Sequence, residues 1–203
     1  NVAQLALSYA YGDGKAGSCE MAKQAVSNLL YGLPIHGYLA LGISSIEQIN
    51  NAVGGVKLEV LEDLTKYDKS LVKGATVTLT GAQAKTYLQS RMGVGDGTNE
   101  SRILRQKQYM MALVNQAKTA IRSDISVVLD LYNAISEYMV TNLTLNQVTY
   151  LVTEMQGYSF SSNDMYSESG TSQQGAVFNE FYADDASLYE TVLKVFYTCE
   201  DNS

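Results

Sequence analysis

Runs typical of strands alternate with helix start signals in the first half of the chain, and this alternation constrains the fold most. Residues 38–43, 56–61 and 75–79 are short apolar or alternating runs that predict strands. Ser44-Ser45-Ile46-Glu47 and Thr80-Gly81-Ala82-Gln83 have the capping-box pattern, in which a hydroxyl side chain precedes Glu or Gln by three positions. Because strands and helices take turns, we expect an α/β protein, a layered α-β-α sandwich with a central mixed sheet.

The second half of the chain is predicted to be mainly helical. Asn99 is expected to cap a long helix of residues 100–122, and Thr144 to cap a helix that ends near residue 156. Asp184-Asp185 introduces a last helix, to about residue 197. No internal repeat or linker is visible, so residues 1–203 are expected to form a single domain. Other predictions are helices at residues 2–10, 18–31, 46–53, 81–89 and 126–140, a strand at 158–160 and a polar loop at 161–175.

Composition excludes some functions. The formal net charge is -7, and a general nucleic-acid binder needs a basic surface, so we expect no nucleic-acid partner. No apolar run approaches the roughly 20 residues that span a bilayer, and the start of the chain lacks a signal peptide. A membrane anchor or export signal is therefore expected outside this chain. Cys19 and Cys199 either form a disulfide, in an exported protein, or are two buried thiols.

Three of the four arginines, Arg91, Arg102 and Arg105, lie within residues 91–105 of this acidic chain. On a helix, the i, i+3, i+4, i+7 spacing places Arg102, Arg105, Gln106 and Tyr109 on one face. That face lies near the helix start, where unpaired N–H groups and the helix dipole attract anions. The spacing therefore predicts a site for a phosphate-type group. The alternative is a solvated face with surface ion pairs, each contributing about 0–1 kcal/mol.

The same helix has a second, apolar stripe that is offset from the arginine face. This stripe predicts the side that packs on the core, so that one helix can both pack and present charge. Its members are Ile103, Met110, Val114, Ala117 and Ile121.

Carboxylates and the single histidine give weaker signals. Asp96-Gly97 is a frequent turn pair, and the functional alternative is that Asp96 acts beside the arginines as a base or magnesium ligand. Glu62-Asp63 is interpreted as a solvated strand end. His36 is the only histidine, and no Ser/His/Asp triad is supported around it.

Several segments in a fixed order resemble the LytR-CpsA-Psr family. The most specific is LTGAQAKTYLQSRMGVGDGTNESRILRQKQYM, which has a glycine-rich loop followed by Arg and then Arg-Gln on a helix. The others are SYAYGDG, AVSNLLYGLPIHGY, INNAVGGVKLEV and FYADDASLYETVLKVFY. The resemblance implies the family's fold and a location at the extracellular face of the cytoplasmic membrane, in the cell envelope of mainly Gram-positive bacteria.

The resemblance also implies an activity. Members of the family transfer an anionic glycopolymer, such as teichoic acid or capsule, from polyprenyl pyrophosphate to peptidoglycan. The reaction is phosphoryl transfer to a sugar hydroxyl, with Mg²⁺ and arginines at the pyrophosphate and a hydrophobic tunnel around the prenyl tail. This chain is thus expected to be a phosphotransferase whose partners are the lipid-linked glycopolymer and peptidoglycan, with the membrane reached through an anchor outside the chain.

The family's motif assigns expected roles to seven residues. Arg91, Arg102 and Asp96 are expected to be catalytic, whereas the expected substrate-binding residues are Arg105, Gln106, Gln89 and Tyr38. The fixed cations and a helix N-terminus suit a transition state rich in negative charge. The lipid tunnel is expected to use apolar side chains that are equally suited to an ordinary core, namely Leu29, Leu33, Ile35, Tyr38, Leu41 and Ile46.

Three departures from the family pattern keep two other functions open. Gln89 stands where the first arginine of an R-x-R pair is usual, and Asn99 stands where an aspartate is common. The family's opening strands, with the aspartates that bind Mg²⁺, are expected to be missing from this chain, so no metal ligand is assigned within it. The first alternative, which these departures favour, is a non-catalytic module that binds polyprenyl phosphate or wall polymer. The second is a regulator of envelope genes that binds DNA, but the acidic charge and the lack of an evident helix-turn-helix argue against it.

Overall fold

The computed structural model describes residues 5–175 and 179–197. Its α-helices are α1 Ala16–Leu29, α2 Ser45–Ala52, α3 Gly81–Gln89, α4 Asn99–Ser123, α5 Val127–Ile135, α6 Leu145–Met155 and α7 Asp185–Phe196. Its strands are β1 Leu39–Leu41, β2 Val56–Glu59, β3 Thr76–Leu79, β4 Met139–Thr141, β5 Gly170–Gln174 and β6 Asn179–Ala183. Short 3-10 helices occupy Leu5–Leu7, Ser136–Tyr138 and Ser162–Asp164.

The chain divides into two compact units. One unit comprises residues 1–38 and 163–203, and the other comprises residues 39–162, which carry the arginines. The single domain expected from the sequence stays a prediction. No described helix is both long enough and apolar enough to cross a membrane.

The strands confirm the predicted α/β class, but they are arranged more simply than a central mixed sheet. Each described sheet has two antiparallel strands, which pair as β1 with β4, β2 with β3 and β5 with β6. Strand β4 lies at the end of a predicted helix, and β5 lies in a predicted polar loop. Runs of three to five residues indicate a strand but leave its partner open, so the sequence could not predict these pairings.

The β2–β3 pair forms the centre of the core in the unit of residues 39–162. Strand β2 alternates as expected, with Val56 and Leu58 buried and Lys57 and Glu59 exposed. The connection between the two strands also enters the core, because Val60, Leu64 and Leu71 are fully buried. The other buried members of this core are Val53, Leu79, Ala84, Tyr87, Val94 and Tyr109.

Two of the predicted helix caps are confirmed and two are wrong. Thr80 and Thr144 form complete capping boxes with Gln83 and Gln147. Ser44 makes no side-chain cap, because its backbone is helical (φ -62°, ψ -24°) and not extended as at Thr80 and Thr144. The Glu47 side chain pairs with Lys85 on α3 at 3.1 Å. Helix α4 is capped by Thr98, whose hydroxyl accepts from the N–H of Ser101 at 3.2 Å, so it begins one residue before the predicted start.

Helix α4 turns a different face to the core from the one the sequence predicts. Arg105 and Tyr109 are buried, whereas Ile103 and Met110 are 38% and 48% exposed. The predicted apolar stripe is therefore wrong at these two positions, although Ile121 is buried as expected. Polar side chains can occupy the core face because each finds a partner there; the Tyr109 hydroxyl donates to Oδ1 of Asn50 at 3.2 Å.

The unit of residues 1–38 and 163–203 carries α1, the β5–β6 hairpin and α7. Tyr31 joins its two chain segments, since its hydroxyl donates to Oδ1 of Asp185 at 2.8 Å and its ring meets Tyr189 edge-on at 5.3 Å. Cys19 is buried in α1, and Cys199 lies outside the described residues, so both the disulfide and the thiol alternatives stay predictions.

Candidate functional site

A loop rich in glycine, which we call the glycine loop (residues 91–98), connects α3 to α4. Gly93, Gly95 and Gly97 have φ angles of 71°, 53° and 71°, in the left-handed region that glycine tolerates best. Two tight turns shape the loop, with the Val94 N–H on the carbonyl of Arg91 and the Gly97 N–H on that of Val94. The Val94 side chain is 1% exposed, so it anchors the loop in the core.

Asp96 holds the loop to the start of α4. Its Oδ1 accepts from the Thr98 N–H at 2.9 Å, the Thr98 hydroxyl at 2.7 Å and the Ser101 hydroxyl at 2.5 Å. These bonds, led by that of Ser101, lower the pKa of Asp96 to about 2. A carboxylate with so low a pKa is a poor general base near neutral pH. The geometry supports a positioning role for Asp96, and its expected catalytic role stays a prediction.

Arg91 in the glycine loop and Arg102 on α4 are two cations without a carboxylate partner among the described residues. Arg91 is exposed and Arg102 is half-buried, and neither takes part in a salt bridge among the described residues. The Nη2 of Arg102 donates to Oδ1 of Asn99 at 2.6 Å, while its buried Nε has no hydrogen-bond partner. Both guanidinium groups thus retain donors for an anion near the N-terminus of α4.

Arg105 is buried against the end of α3. Its guanidinium donates to the carbonyls of Tyr87 and Ser90, and its Nε lies 2.9 Å from Oε2 of Glu62. The neighbouring Gln106 donates to the carbonyl of Leu88 at 3.2 Å. Carbonyls in the last turn of a helix lack partners within the helix and carry the negative end of its dipole, so a cation there is stabilising.

The fold therefore places the members of the predicted arginine cluster in two different environments. Arg102 and Arg105 share α4, but only Arg102 keeps donors for a ligand, whereas Arg105 is 1% exposed and bonded to the protein. The expected substrate-binding roles of Arg105 and Gln106 stay predictions. Their contacts position the end of α3, which carries Gln89 and leads into Arg91.

An apolar cavity of about 370 Å³ opens beside Gln89 and Gln106. Of the side chains expected to form a lipid tunnel, Leu41 and Ile46 line it, whereas Leu29, Leu33, Ile35 and Tyr38 belong to the other unit. Desolvation is the main cause that raises the pKa of Tyr38, which is half-buried in that unit. The further lining residues are Gly42, Ile43, Ser45, Ile49, Leu88, Tyr109, Met110 and Leu113.

The part of the chain that the structure describes contains no cluster of candidate metal ligands. Within residues 5–175 and 179–197, no three His, Cys, Asp or Glu side chains come together as candidate ligands. A protein-held Mg²⁺ takes oxygen ligands, usually including carboxylates. The Mg²⁺ expected from the resemblance stays a prediction, and no chemical step below depends on it.

Glu62 is the functional-site residue that sequence reasoning missed. It was expected at a solvated strand end, but its side chain is only 15% exposed and pairs with Arg105. It also covers Gly95, where a methyl group would collide with its carboxylate. The sequence could not indicate that Glu62 pairs with Arg105, because the two residues lie 43 positions apart in the chain.

Comparison with known sequences supports the resemblance. The sequence model of the LytR_cpsA_psr family matches residues 1–192. A Bacillus mycoides protein named polyisoprenyl-teichoic acid–peptidoglycan teichoic acid transferase TagU is 32% identical over 132 residues, 65% of this chain and 42% of that protein. The Enterococcus faecalis protein of the same name is 30% identical over 147 residues, 70% of this chain and 44% of that protein. The chain spans less than half the length of these relatives.

Solved structures share the fold. Bacillus subtilis TagV has 22% identity and a TM-score of 0.70, over 97% of this chain and 76% of that one. TagT bound to LI-WTA has 18% identity and a TM-score of 0.71, over 94% of this chain and 69% of that one. The expected fold is therefore confirmed.

Proposed function

The chain belongs to the LytR-CpsA-Psr family, and on that premise we propose that it carries the arginine-bearing part of a phosphotransferase. The reaction moves a teichoic-acid-like or capsular glycopolymer from polyprenyl pyrophosphate to peptidoglycan. The relatives named teichoic acid transferases support this proposal. The observation that carries it is the position of Arg102, one helical turn before Gln106 at the rim of the apolar cavity.

The arginines supply the charge that phosphoryl transfer needs. Negative charge spreads over the phosphoryl oxygens in the transition state, and preorganised cations stabilise it. Arg102 and Arg91 offer guanidinium donors, and the first turn of α4 adds the positive end of a helix dipole. Asp96 and Arg105 hold this arrangement as positioning residues, since one fixes the start of α4 and the other the end of α3.

The apolar cavity suits the lipid part of the donor. Its volume of about 370 Å³ falls within the range of small-molecule sites, and most of its lining is aliphatic. A prenyl chain buried there would bring its pyrophosphate to the amides of Gln89 and Gln106, close to Arg102. Because the proposed donor is a membrane lipid, the proposal places the reaction in the cell envelope, at the outer face of the membrane, with the anchor in another part of the protein.

A transfer assay with the full-length protein tests the proposal. Lipid-linked glycopolymer and peptidoglycan are supplied, and the released polyprenyl phosphate is quantified. We expect Arg102→Ala to reduce the rate constant by about 10²–10³-fold, the typical loss on removing one oxyanion donor. Arg122→Ala is the matched control, because Arg122 is exposed and its Nη2 donates to the carbonyl of Gln156 at 2.7 Å. Equal activity of the two variants would contradict the role of Arg102.

A second candidate function is a non-catalytic module that binds polyprenyl phosphate. Gln89 favours it, because a neutral amide at the rim of the cavity replaces the arginine usual in the family. In that case inorganic pyrophosphate raises the melting temperature while the transfer assay shows no product. A Gln89→Arg variant that gains transfer activity would identify the missing cation as the cause.

A further inference from the structure

Lys66 and Lys73 line a polar cleft against the glycine loop, and we propose that this cleft binds a phosphodiester group of the glycopolymer being transferred. We call it the lysine cleft; its lining residues are Glu62, Asp63, Thr65, Lys66, Lys73, Gly93 and Gly95. The inference rests on the proposed function, because it assigns the cleft to the polymer portion of the same donor. The lysine cleft would contact the repeating units of the polymer, in addition to the contact of the arginines with the pyrophosphate.

The cleft is held directly against the loop that carries Arg91. The Tyr67 hydroxyl donates to the carbonyl of Met92 at 2.6 Å, which ties the β2–β3 connection to the glycine loop. Beside this bond, Nζ of Lys66 lies 3.1 Å from the position that a Cβ atom would take on Gly93. The absence of a side chain at Gly93 therefore leaves the ammonium group room to approach the loop.

The two acidic side chains of the cleft both have partners within the protein, but only Glu62 is paired with a cation. Glu62 pairs with the buried guanidinium of Arg105 at 2.9 Å. Asp63 turns Oδ1 to the N–H and hydroxyl of Thr65 at 2.8 and 2.6 Å, and the nearby Lys69 also helps to lower its pKa. The lining therefore carries the two positive charges of Lys66 and Lys73 against one carboxylate, Asp63, that has no salt bridge.

Lys66 and Lys73 have no carboxylate partner among the described residues. The salt bridges there are Lys23–Glu20, Lys85–Glu47 and Arg105–Glu62. Both lysines are exposed, in a chain whose formal net charge is -7. With Lys69 they place three of the chain's ten lysines within residues 66–73. Because the lining has two lysines and only one carboxylate without a salt bridge, its excess of positive charge favours an anionic ligand.

The size of the cleft favours a polymer segment over a single ion. Its volume of about 440 Å³ lies in the range of drug-sized ligands, and its two lysines are exposed to solvent. An ammonium group binds phosphate as a point charge and does not require one fixed orientation. Successive phosphodiesters of a flexible chain could therefore occupy the cleft while the pyrophosphate lies at the arginines.

The test measures binding of a lipid-free glycerol phosphate oligomer to the full-length protein by calorimetry at low ionic strength. The variant Lys66→Gln/Lys73→Gln removes two charges from the cleft. The matched control Lys15→Gln/Lys57→Gln removes two charges from exposed lysines elsewhere. We expect the cleft variant to bind the oligomer about tenfold more weakly or worse, as for loss of hydrogen bonds to charged groups. The control should bind like the parent protein.

Inorganic pyrophosphate separates this inference from the proposed function. We expect its affinity to be unchanged in the cleft variant and lowered in Arg102→Ala. The inference about the lysine cleft is overturned if the cleft variant binds the oligomer as well as the parent protein, if the control loses as much affinity, or if the parent protein does not bind the oligomer. None of these outcomes affects the proposed transferase function. If the parent protein neither binds pyrophosphate nor catalyses transfer, the proposed function is contradicted instead.

Discussion

Arg105 and Glu62 form a buried ion pair, with Nε of the arginine 2.9 Å from Oε2 of the glutamate. The pair joins three parts of the fold, because Arg105 also bonds the last carbonyls of α3 and Glu62 covers Gly95. The arrangement of the glycine loop therefore depends on a guanidinium group that is only 1% exposed.

Removing the arginine of this pair should destabilise the protein strongly. We expect Arg105→Ala to lower the free energy of unfolding by about 3–5 kcal/mol, because Glu62 and two helix carbonyls lose their partner. Urea denaturation measures the change, and Arg122→Ala, at an exposed site, should cost less than about 1 kcal/mol. If both variants lose the same stability, Arg105 does not hold the end of α3.

Gly95 and Gly97 should respond differently to the same substitution. Both have positive φ, so Ala at either position should cost about 1–2 kcal/mol of backbone strain. At Gly97 the new methyl group meets no atom within 4 Å, whereas at Gly95 it collides with the Glu62 carboxylate. We therefore expect a larger loss for Gly95→Ala in urea denaturation. Combining Gly95→Ala with Glu62→Ala should give a non-additive loss, and strict additivity would argue against the contact.

The low pKa of Asp96 should depend on its hydroxyl partners. Carboxyl chemical shifts in a pH titration should show a midpoint of about 2 in the parent protein and a higher midpoint in Ser101→Ala, since the Ser101 bond is the largest cause. Because the folded-state pKa lies below the ordinary aspartate value of 3.8, the stabilisation from Asp96 is complete above that pH. It is lost as the pH falls towards 2. A midpoint near 4 in the parent protein would contradict the three hydrogen bonds.

The helix caps provide a matched series of substitutions. Thr80→Ala and Thr144→Ala should each cost about 0.5–2 kcal/mol, because each threonine oxygen accepts from a backbone N–H at a helix start. Ser44→Ala should cost only a few tenths of a kcal/mol, roughly as for other surface changes, since Ser44 makes no side-chain cap. Equal losses in all three variants, measured by urea denaturation, would mean that the cap bonds do not decide the effect.

Local signals predicted the α-helices well, but they missed strands β4, β5 and β6 and the long-range partners of most residues. The hydroxyl and Gln of the Thr80 and Thr144 boxes lie three residues apart, so sequence alone identified them. The spacing of Arg102 and Arg105 placed both on α4, but burial of Arg105 depends on α3 carbonyls and on Glu62. Helical periodicity counts arginine as polar and could not assign it to the core face. The β5–β6 hairpin was missed because its first strand, GTSQQ, is exposed and polar throughout.

The β2–β3 connection looks like a surface loop in the sequence, yet it is cross-linked by backbone bonds around buried leucines. The Leu64 N–H donates to the carbonyl of Leu71 and the Val60 N–H to that of Ala75. We therefore expect the amide protons of these residues to exchange with solvent only through global unfolding. This connection forms a wall of the lysine cleft, which would therefore resist proteolysis as long as the core does. A polymer that binds there meets a rigid surface, so the protein loses little conformational entropy on binding.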